Sequence, residues 1–126
     1  MALIGIEEIQ RAAERIHGRV HRTPLLSAAS LGDRARVRLH LKCESFQKTG
    51  SFKPRGALNK VLSLSSAERA KGLITVSAGN HAQAVAWAAR QIPVPCAVVM
   101  PRDAPRAKLD AVRGYGAEVI LHADRA

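Results

Sequence analysis

Gly72-Leu-Ile-Thr-Val-Ser-Ala-Gly-Asn-His-Ala-Gln83 is the stretch of sequence that decides the fold. Its apolar run, Leu73–Val76, predicts a strand, and the alanine-rich residues 80–91 predict a helix. The pattern continues downstream with a predicted strand at 97–100, a helix at 105–113 and a strand at 118–121. Strands that alternate with helices form βαβ units, which cross over right-handed into a parallel sheet. The sequence therefore predicts an α/β fold built from parallel-sheet βαβ units.

Upstream of this region, the sequence indicates a helix and then a strand. Apolar residues fall at positions 6, 9, 13 and 16, which lie on one face of a helix that Gly18 ends. Val37, Leu39 and Leu41 then alternate with polar residues. This spacing predicts a strand with one face in water.

Lys53 lies between a polar turn and a predicted helix. The turn is Gln-Lys-Thr-Gly-Ser-Phe at 47–52, and Pro54 suits a first helical turn because proline has no N–H to leave unpaired there. We expect this helix to span 52–64 and to be followed by a short helix that the capping box Ser65–Glu68 opens. The backbone therefore holds Lys53 in place, either as a reactive amine or as an ordinary solvated surface lysine.

The composition is that of a globular chain with excess positive charge. The 126 residues are 47% hydrophobic and 24% charged, and the net charge is +10. This charge makes a basic nucleic-acid-binding module an alternative. However, only 3% of the residues are aromatic, which leaves few side chains to stack on bases. We therefore expect no nucleic-acid partner, and no membrane-spanning segment is predicted.

The N-terminus and the cysteines favour a cytoplasmic protein without a metal site. The first apolar run reaches Glu7 too early to be a signal peptide. Cys43 and Cys96 do not have the spacing of a metal site, and we interpret them as reduced structural thiols.

Several segments together resemble the threonine/serine dehydratase branch of the fold-type II pyridoxal-phosphate enzymes, which are related to the tryptophan synthase β chain. They occur in the order and spacing of that family: Arg22–Ser27, Leu41–Glu44, Gln47–Lys53, Ser77–Gln83, Met100–Pro105 with Lys108, and Gly114–Ala117. The resemblance implies an incomplete fold-type II fold. Residues 1–66 would be the N-terminal part of the large domain, with the lysine helix, and residues 73–126 an incomplete small βαβ domain.

The resemblance also implies roles for individual residues. In the family, the lysine that matches Lys53 binds pyridoxal 5'-phosphate covalently, and the residue that matches Asn80 bonds the ring hydroxyl of the cofactor. The substrate carboxylate is gripped by the turn that corresponds to Ser77, Gly79, Asn80 and His81. Such a turn exposes N–H donors at the positive end of a helix dipole, which suits an anion. A structural alternative stays open, in which Ser77 and Asn80 only cap the helix.

Ala78 favours elimination over racemisation. Serine racemases of the family have a serine at this position, where it acts as an acid and base on the face opposite the lysine, whereas dehydratases commonly have alanine. The resemblance therefore implies a threonine/serine dehydratase, an ammonia-lyase that converts a hydroxy amino acid into a 2-oxo acid and ammonia. A serine racemase-like enzyme is the alternative.

The resemblance further implies that a second portion of polypeptide is needed. The family's glycine-rich loop for the cofactor phosphate lies beyond the matching segments, and no glycine-rich run in this sequence replaces it. We therefore expect an N-terminal fragment whose activity alone is doubtful and which needs the missing C-terminal portion. The second hypothesis is a catalytically inactive truncated or split-gene product. Intact relatives are expected to form homo-oligomers.

Overall fold

The computed structural model describes residues 3–123, which form six helices and five strands together with two short 3-10 turns at 44–46 and 48–50. The elements are α1 (Ile6–Ile16), β1 (Leu25–Ser27), α2 (Ala29–Ala35), β2 (His40–Lys42), α3 (Lys53–Ser63), α4 (Ser66–Ala70), β3 (Leu73–Val76), α5 (Asn80–Gln91), β4 (Cys96–Met100), α6 (Arg106–Gly114) and β5 (Glu118–Leu121). None of the helices in this described part is long and apolar enough to cross a membrane.

The C-terminal half is a three-stranded parallel sheet in the order β3-β4-β5. Thr75, Val98 and Val119 are register neighbours across the sheet. Helices α5 and α6 both pack on the face that carries Val98 and Met100, and together they form one buried cluster. The predicted α/β fold with parallel βαβ units is therefore confirmed.

The opposite face of this sheet is uncovered. Ile74 and Val76 are 74% and 75% exposed, and Val76 is in register with Val99 and Ile120. Parallel sheets are normally covered on both faces, and their strands are correspondingly apolar on both sides. The described residues supply helices to only one of the two faces. β3 is also a free edge of the sheet.

The N-terminal half packs against α5 through a second cluster. Ile16 of α1 and Leu58 and Val61 of α3 are buried together with Trp87 and Ala88 of α5. The antiparallel pair β1 and β2 lies outside this cluster. The cluster joins residues from both sides of the boundary predicted near 66–73, and the division into a large-domain part and a small domain stays a prediction.

The predicted strand at Val37–Leu41 is wrong in its limits. β2 covers only residues 40–42, because the backbone of Val37 is bonded to Gly32 at the end of α2 (N···O 3.0 Å). Arg36 ends that helix in the left-handed conformation, with φ 55°. The helix α2 has no counterpart among the predicted elements, and its formation takes the first half of the alternating segment out of the strand.

Candidate active site

Lys53 is the first residue of α3, and its side chain is exposed. Phe52 occupies the N-cap position without a side-chain cap bond, and the buried Pro54 follows Lys53 in the first helical turn. The Lys53 side chain is exposed, with Nζ lying 5.0 Å from the centre of the Phe52 ring. Among residues 3–123, no hydrogen bond or ion pair engages this amine. The amine is therefore available to a ligand.

The turn after β3 begins α5 without a side-chain cap. Gly79 is the N-cap residue, and its N–H donates to the Ser77 hydroxyl at 3.2 Å within the turn itself. The backbone N–H of Ser77 continues the sheet pattern by donating to the carbonyl of Val99 at 3.1 Å. The side chains of Asn80 and His81 are exposed and do not cap the helix. Capping therefore does not account for Asn80, and its role in ligand binding stays a prediction.

Helix α3, which begins at Lys53, packs against α5, which follows the turn after β3. The 3-10 turn at 48–50, which leads into Lys53, also contacts α5. A groove of about 490 Å³ between α3, β3 and α5 is lined by Gly56, three residues after Lys53, and by His81, next to Asn80. Of the predicted site residues in the described part of the chain, only His81 lines this groove, whereas Lys53, Ser77, Gly79 and Asn80 do not. Ser77, Gly79, Asn80 and His81 follow one another along the turn on the α5 side.

Lys108 of α6 reaches this turn. Its Nζ donates a hydrogen bond to Oδ1 of Asn80 at 3.2 Å, although the two residues are 28 positions apart in the sequence. Sequence reasoning gave Lys108 no chemical role, since no local pattern links it to Asn80. The contact adds a positive charge beside the N-terminus of α5, where the helix dipole already favours an anion.

Glu44 and Arg55 form an ion pair close to Lys53. The guanidinium donates in a fork to both carboxylate oxygens, with Nε–Oε2 at 2.8 Å and Nη2–Oε1 at 2.7 Å. The Thr23 hydroxyl donates to the same carboxylate at 2.5 Å. The bond from Arg55 holds the pKa of Glu44 at about 2, well below its ordinary 4.5, against the opposing effect of burial and with smaller help from Thr23. The sequence analysis singled out neither Arg55 nor Glu44 as a functional residue.

Gln47 ties the loop before Lys53 to the chain at His21. Its side chain accepts from the His21 N–H at 2.9 Å and donates to the His21 carbonyl at 2.8 Å. Further along, Thr49 has a left-handed backbone, with φ 61°, which is uncommon for a β-branched residue. The hydroxyls of Thr49 and Ser51 are buried without a hydrogen-bond partner in the described part of the chain.

These features fit one side of a site for an aldehyde cofactor. An accessible primary amine on a fixed backbone is what a carbonyl group requires for covalent attachment. The unpaired hydroxyls of Thr49 and Ser51 lie within four residues of that amine, in a loop whose backbone is strained. Unpaired buried polar groups and unusual backbone angles concentrate at functional sites.

Comparison with known proteins identifies the class. The model of the pyridoxal-phosphate dependent enzyme family matches residues 16–126. This chain therefore belongs to that family, whose cofactor is pyridoxal 5'-phosphate, and the predicted family, fold and cofactor are confirmed.

The similar proteins differ from one another in activity. The chain is 46% identical over 119 residues to the serine racemase of Dictyostelium discoideum, covering 94% of this chain and 37% of the relative. It is 43% identical over 122 residues to an L-threo-3-hydroxyaspartate ammonia-lyase from Pseudomonas sp, covering 97% of this chain and 38% of the relative. The structure of the T.th. threonine deaminase superposes with a TM-score of 0.83 at 47% identity, covering 98% of this chain and 38% of that one. This chain thus spans less than two-fifths of these relatives.

Proposed function

We propose that this chain supplies the lysine side of the active site of a pyridoxal-phosphate dependent ammonia-lyase that acts on a β-hydroxy amino acid. One observation carries the proposal. Lys53 presents an unengaged amine at the start of α3, and the neighbouring α5 starts with a turn whose Asn80 and His81 side chains are not used for capping. The similarity to two ammonia-lyases or deaminases supports the reaction class.

Each proposed site residue has a role that follows from its chemistry. Lys53 would hold the cofactor covalently through Nζ, and the same amine, once free, would take the proton from the α-carbon of the substrate. Asn80 would bond the ring hydroxyl of the cofactor. Ser77, Gly79 and His81 would orient the substrate carboxylate, mainly through N–H donors at the start of α5. When it is bound, pyridoxal phosphate supplies the electron sink for the bond that breaks.

Ala78 supports elimination as the main reaction. Racemisation requires a proton donor on the face opposite the lysine, and a methyl side chain cannot provide one. Ala78 is half-buried and packs against the cluster formed by α5, α6 and β4. Racemisation is the second candidate, because a serine racemase is among the similar proteins.

A complete site would need polypeptide that this chain does not contain. The uncovered sheet face at Ile74 and Val76, together with the free edge of β3, supports a docking place for it. The division into a part of the large domain before residue 67 and a small domain from residue 73 belongs to this proposal. The amino-acid substrate and the homo-oligomeric state of the complete enzyme also belong to this proposal. On its own, the chain is proposed to be catalytically inactive.

The proposal can be tested by complementation. The chain is fused to the remaining portion of the Dictyostelium serine racemase, incubated with pyridoxal phosphate and reduced with borohydride. We expect the label on Lys53, and we expect Lys53→Ala to abolish both the label and the formation of 2-oxo acid from threonine or serine. Lys60→Ala is the matched control, since Lys60 is a lysine of the same helix. Labelling of Lys48 or Lys60 in place of Lys53 would refute the assignment.

A further inference from the structure

The start of α3, where Lys53 lies, is not held by a side-chain cap. Phe52 at the N-cap position has helical backbone angles, φ −69° and ψ −16°, and makes no side-chain cap bond. The preceding loop includes the strained Thr49 and the unpaired hydroxyl of Ser51. A helix start of this kind would be free to fray unless other contacts fix it.

Those contacts come from residues on both sides of Lys53. Arg55 lies two residues after Lys53, in the first turn of α3, and Glu44 lies at the start of the loop before it. Their two-pronged ion pair closes this loop, and the planar guanidinium fixes direction as well as distance. Glu44 and Arg55 are 19% and 31% exposed at their side chains, so water screens the pair less than an exposed one.

Residues 21–23 form further hydrogen bonds with Glu44 and Arg55. The buried Thr23 donates its hydroxyl to Glu44, and Arg55 donates from Nη2 to the carbonyl of His21 at 3.2 Å. The Gln47 side chain binds both the N–H and the carbonyl of His21. The loop before Lys53 and the helix after it are therefore attached to one extended segment, residues 21–23.

We propose that Glu44 and Arg55 are positioning residues, which fix the backbone on both sides of Lys53 so that its amine is presented in one direction. This inference rests on the proposed function, in which Lys53 carries the cofactor. Neither residue contacts a reacting atom. Their action is transmitted through the backbone of the loop 44–52 and the first turn of α3.

The test uses variants that weaken the pair by different means. Glu44→Gln removes one charge and Arg55→Lys keeps the charge without the fork, because an ammonium cannot make the paired bonds of a guanidinium. Thr23→Val keeps both charges and the side-chain shape, and removes only the hydroxyl. Asp110→Asn is the control, since it breaks an exposed pair with Arg106 on α6.

The first measurement is amide hydrogen exchange of the 126-residue chain, followed by mass spectrometry. We expect exchange in residues 47–54 to accelerate by about tenfold or more in Glu44→Gln and Arg55→Lys, and less in Thr23→Val. Exchange in residues 84–89 of α5 should remain at the wild-type rate, and Asp110→Asn should change neither segment. A merely structural role predicts equal acceleration in both segments. That result, or unchanged exchange in 47–54, would overturn the inference.

The second measurement uses the chain fused to the remaining portion of the Dictyostelium serine racemase, and it is the ratio of pyridoxal-phosphate label on Lys53 to that on Lys60 after borohydride reduction. We expect Lys53 to be preferred in the complemented wild-type enzyme and the ratio to fall about threefold or more in Glu44→Gln. If Glu44→Gln does not fold, hydrogen exchange and the labelling ratio of Thr23→Val test the inference instead. Equal labelling of both lysines in the complemented wild-type enzyme counts against the proposed function itself. A preference for Lys53 that persists in the variants counts against the positioning pair alone.

Discussion

The Lys108 amine and the Asn80 side chain are hydrogen-bonded at 3.2 Å, which connects α6 to the first residue of α5. This contact is exposed, so its contribution to folding is small. Its consequence is electrostatic, because the Lys108 amine adds a positive charge beside the position that an anionic ligand of the turn would occupy. The two residues thereby link the second βαβ unit of the sheet to the candidate site.

Lys108→Met should therefore weaken substrate binding more than folding. We expect the free energy of unfolding to change by less than about 0.5 kcal/mol, since the site is at the surface. In the complemented enzyme, KM for the hydroxy amino acid should rise about two- to fivefold, with kcat nearly unchanged. Arg113→Met is the control, because Arg113 is an exposed cation in the last turn of the same helix. An unchanged KM would contradict a role for the cation.

Asn80→Ala separates ligand binding from helix capping. Because Asn80 makes no cap bond, we expect its loss to cost less than about 0.5 kcal/mol of stability. Ser65→Ala provides the comparison, since Ser65 accepts from the Glu68 N–H in a complete capping box and its loss should cost about 0.5–2 kcal/mol. Urea denaturation measures both variants. In the complemented enzyme, Asn80→Ala should impair elimination, and a loss of activity only in proportion to lost folded protein would refute the binding role.

The acid stability of the chain should depend on Glu44. Its pKa is about 2 in the folded chain, against an ordinary value of 4.5, and the bond from Arg55 is the largest cause. A carboxyl whose pKa is lowered by folding stabilises the folded state above its unfolded pKa, and this contribution disappears as the pH falls from about 4.5 toward 2. The contribution should be about 1.5–3 kcal/mol, the range for a hydrogen bond to a charged group.

Urea denaturation at pH 6 and pH 3 tests this dependence in the wild-type chain and in Glu44→Gln. Wild-type stability should fall between the two pH values by more than that of the variant. Glu68, whose pKa is also lowered, titrates in both proteins and cancels from the comparison. An equal fall in both proteins would show that Glu44 is not responsible.

The elements that the sequence predicted correctly are those that local patterns of apolar and turn-forming residues specify. β3, α5 and β5 occupy the predicted residues, since apolar runs and an alanine-rich segment lie between turn-forming residues. α3 differs from its prediction by one residue at each end. β2 was misplaced because the left-handed Arg36 turns the chain at the end of α2 and Val37 bonds back to Gly32, and alternation of side chains does not reveal that turn.

The candidate site was predictable only in part, because local patterns specify the positions of its residues but not the contacts between them. The positions of Lys53 and Asn80 at helix starts follow from the residues next to them. The bonds of Glu44 with Arg55 and of Lys108 with Asn80 join residues that are 11 and 28 positions apart. Such pairs arise from the packing of elements, and no spacing in the sequence marks them.

The uncovered sheet face should make the isolated chain prone to association. Exposed apolar patches of this kind favour contact with other apolar surfaces. Ile74→Lys should reduce dye binding and light scattering, and it should change stability by less than about 0.5 kcal/mol because the side chain is already 74% exposed. Val98→Lys is the contrasting variant, since Val98 is fully buried on the covered face and its replacement should prevent folding. Strong destabilisation by Ile74→Lys would show that the face is covered in solution.

Ala78→Ser should shift the complemented enzyme from elimination toward racemisation. A hydroxyl at this position would supply the proton donor that alanine lacks, and general acid catalysis is typically worth about a hundredfold or more. We therefore expect the ratio of D-serine to 2-oxo acid formed from L-serine to rise by at least about tenfold. Chiral chromatography measures the serine enantiomers, and a coupled assay measures the 2-oxo acid. Ala84→Ser adds the same hydroxyl to a fully buried position of α5 and controls for the cost of burying it. A ratio that changes equally in both variants would contradict a specific role for position 78, and racemisation by the alanine enzyme at the rate of elimination would favour the racemase assignment.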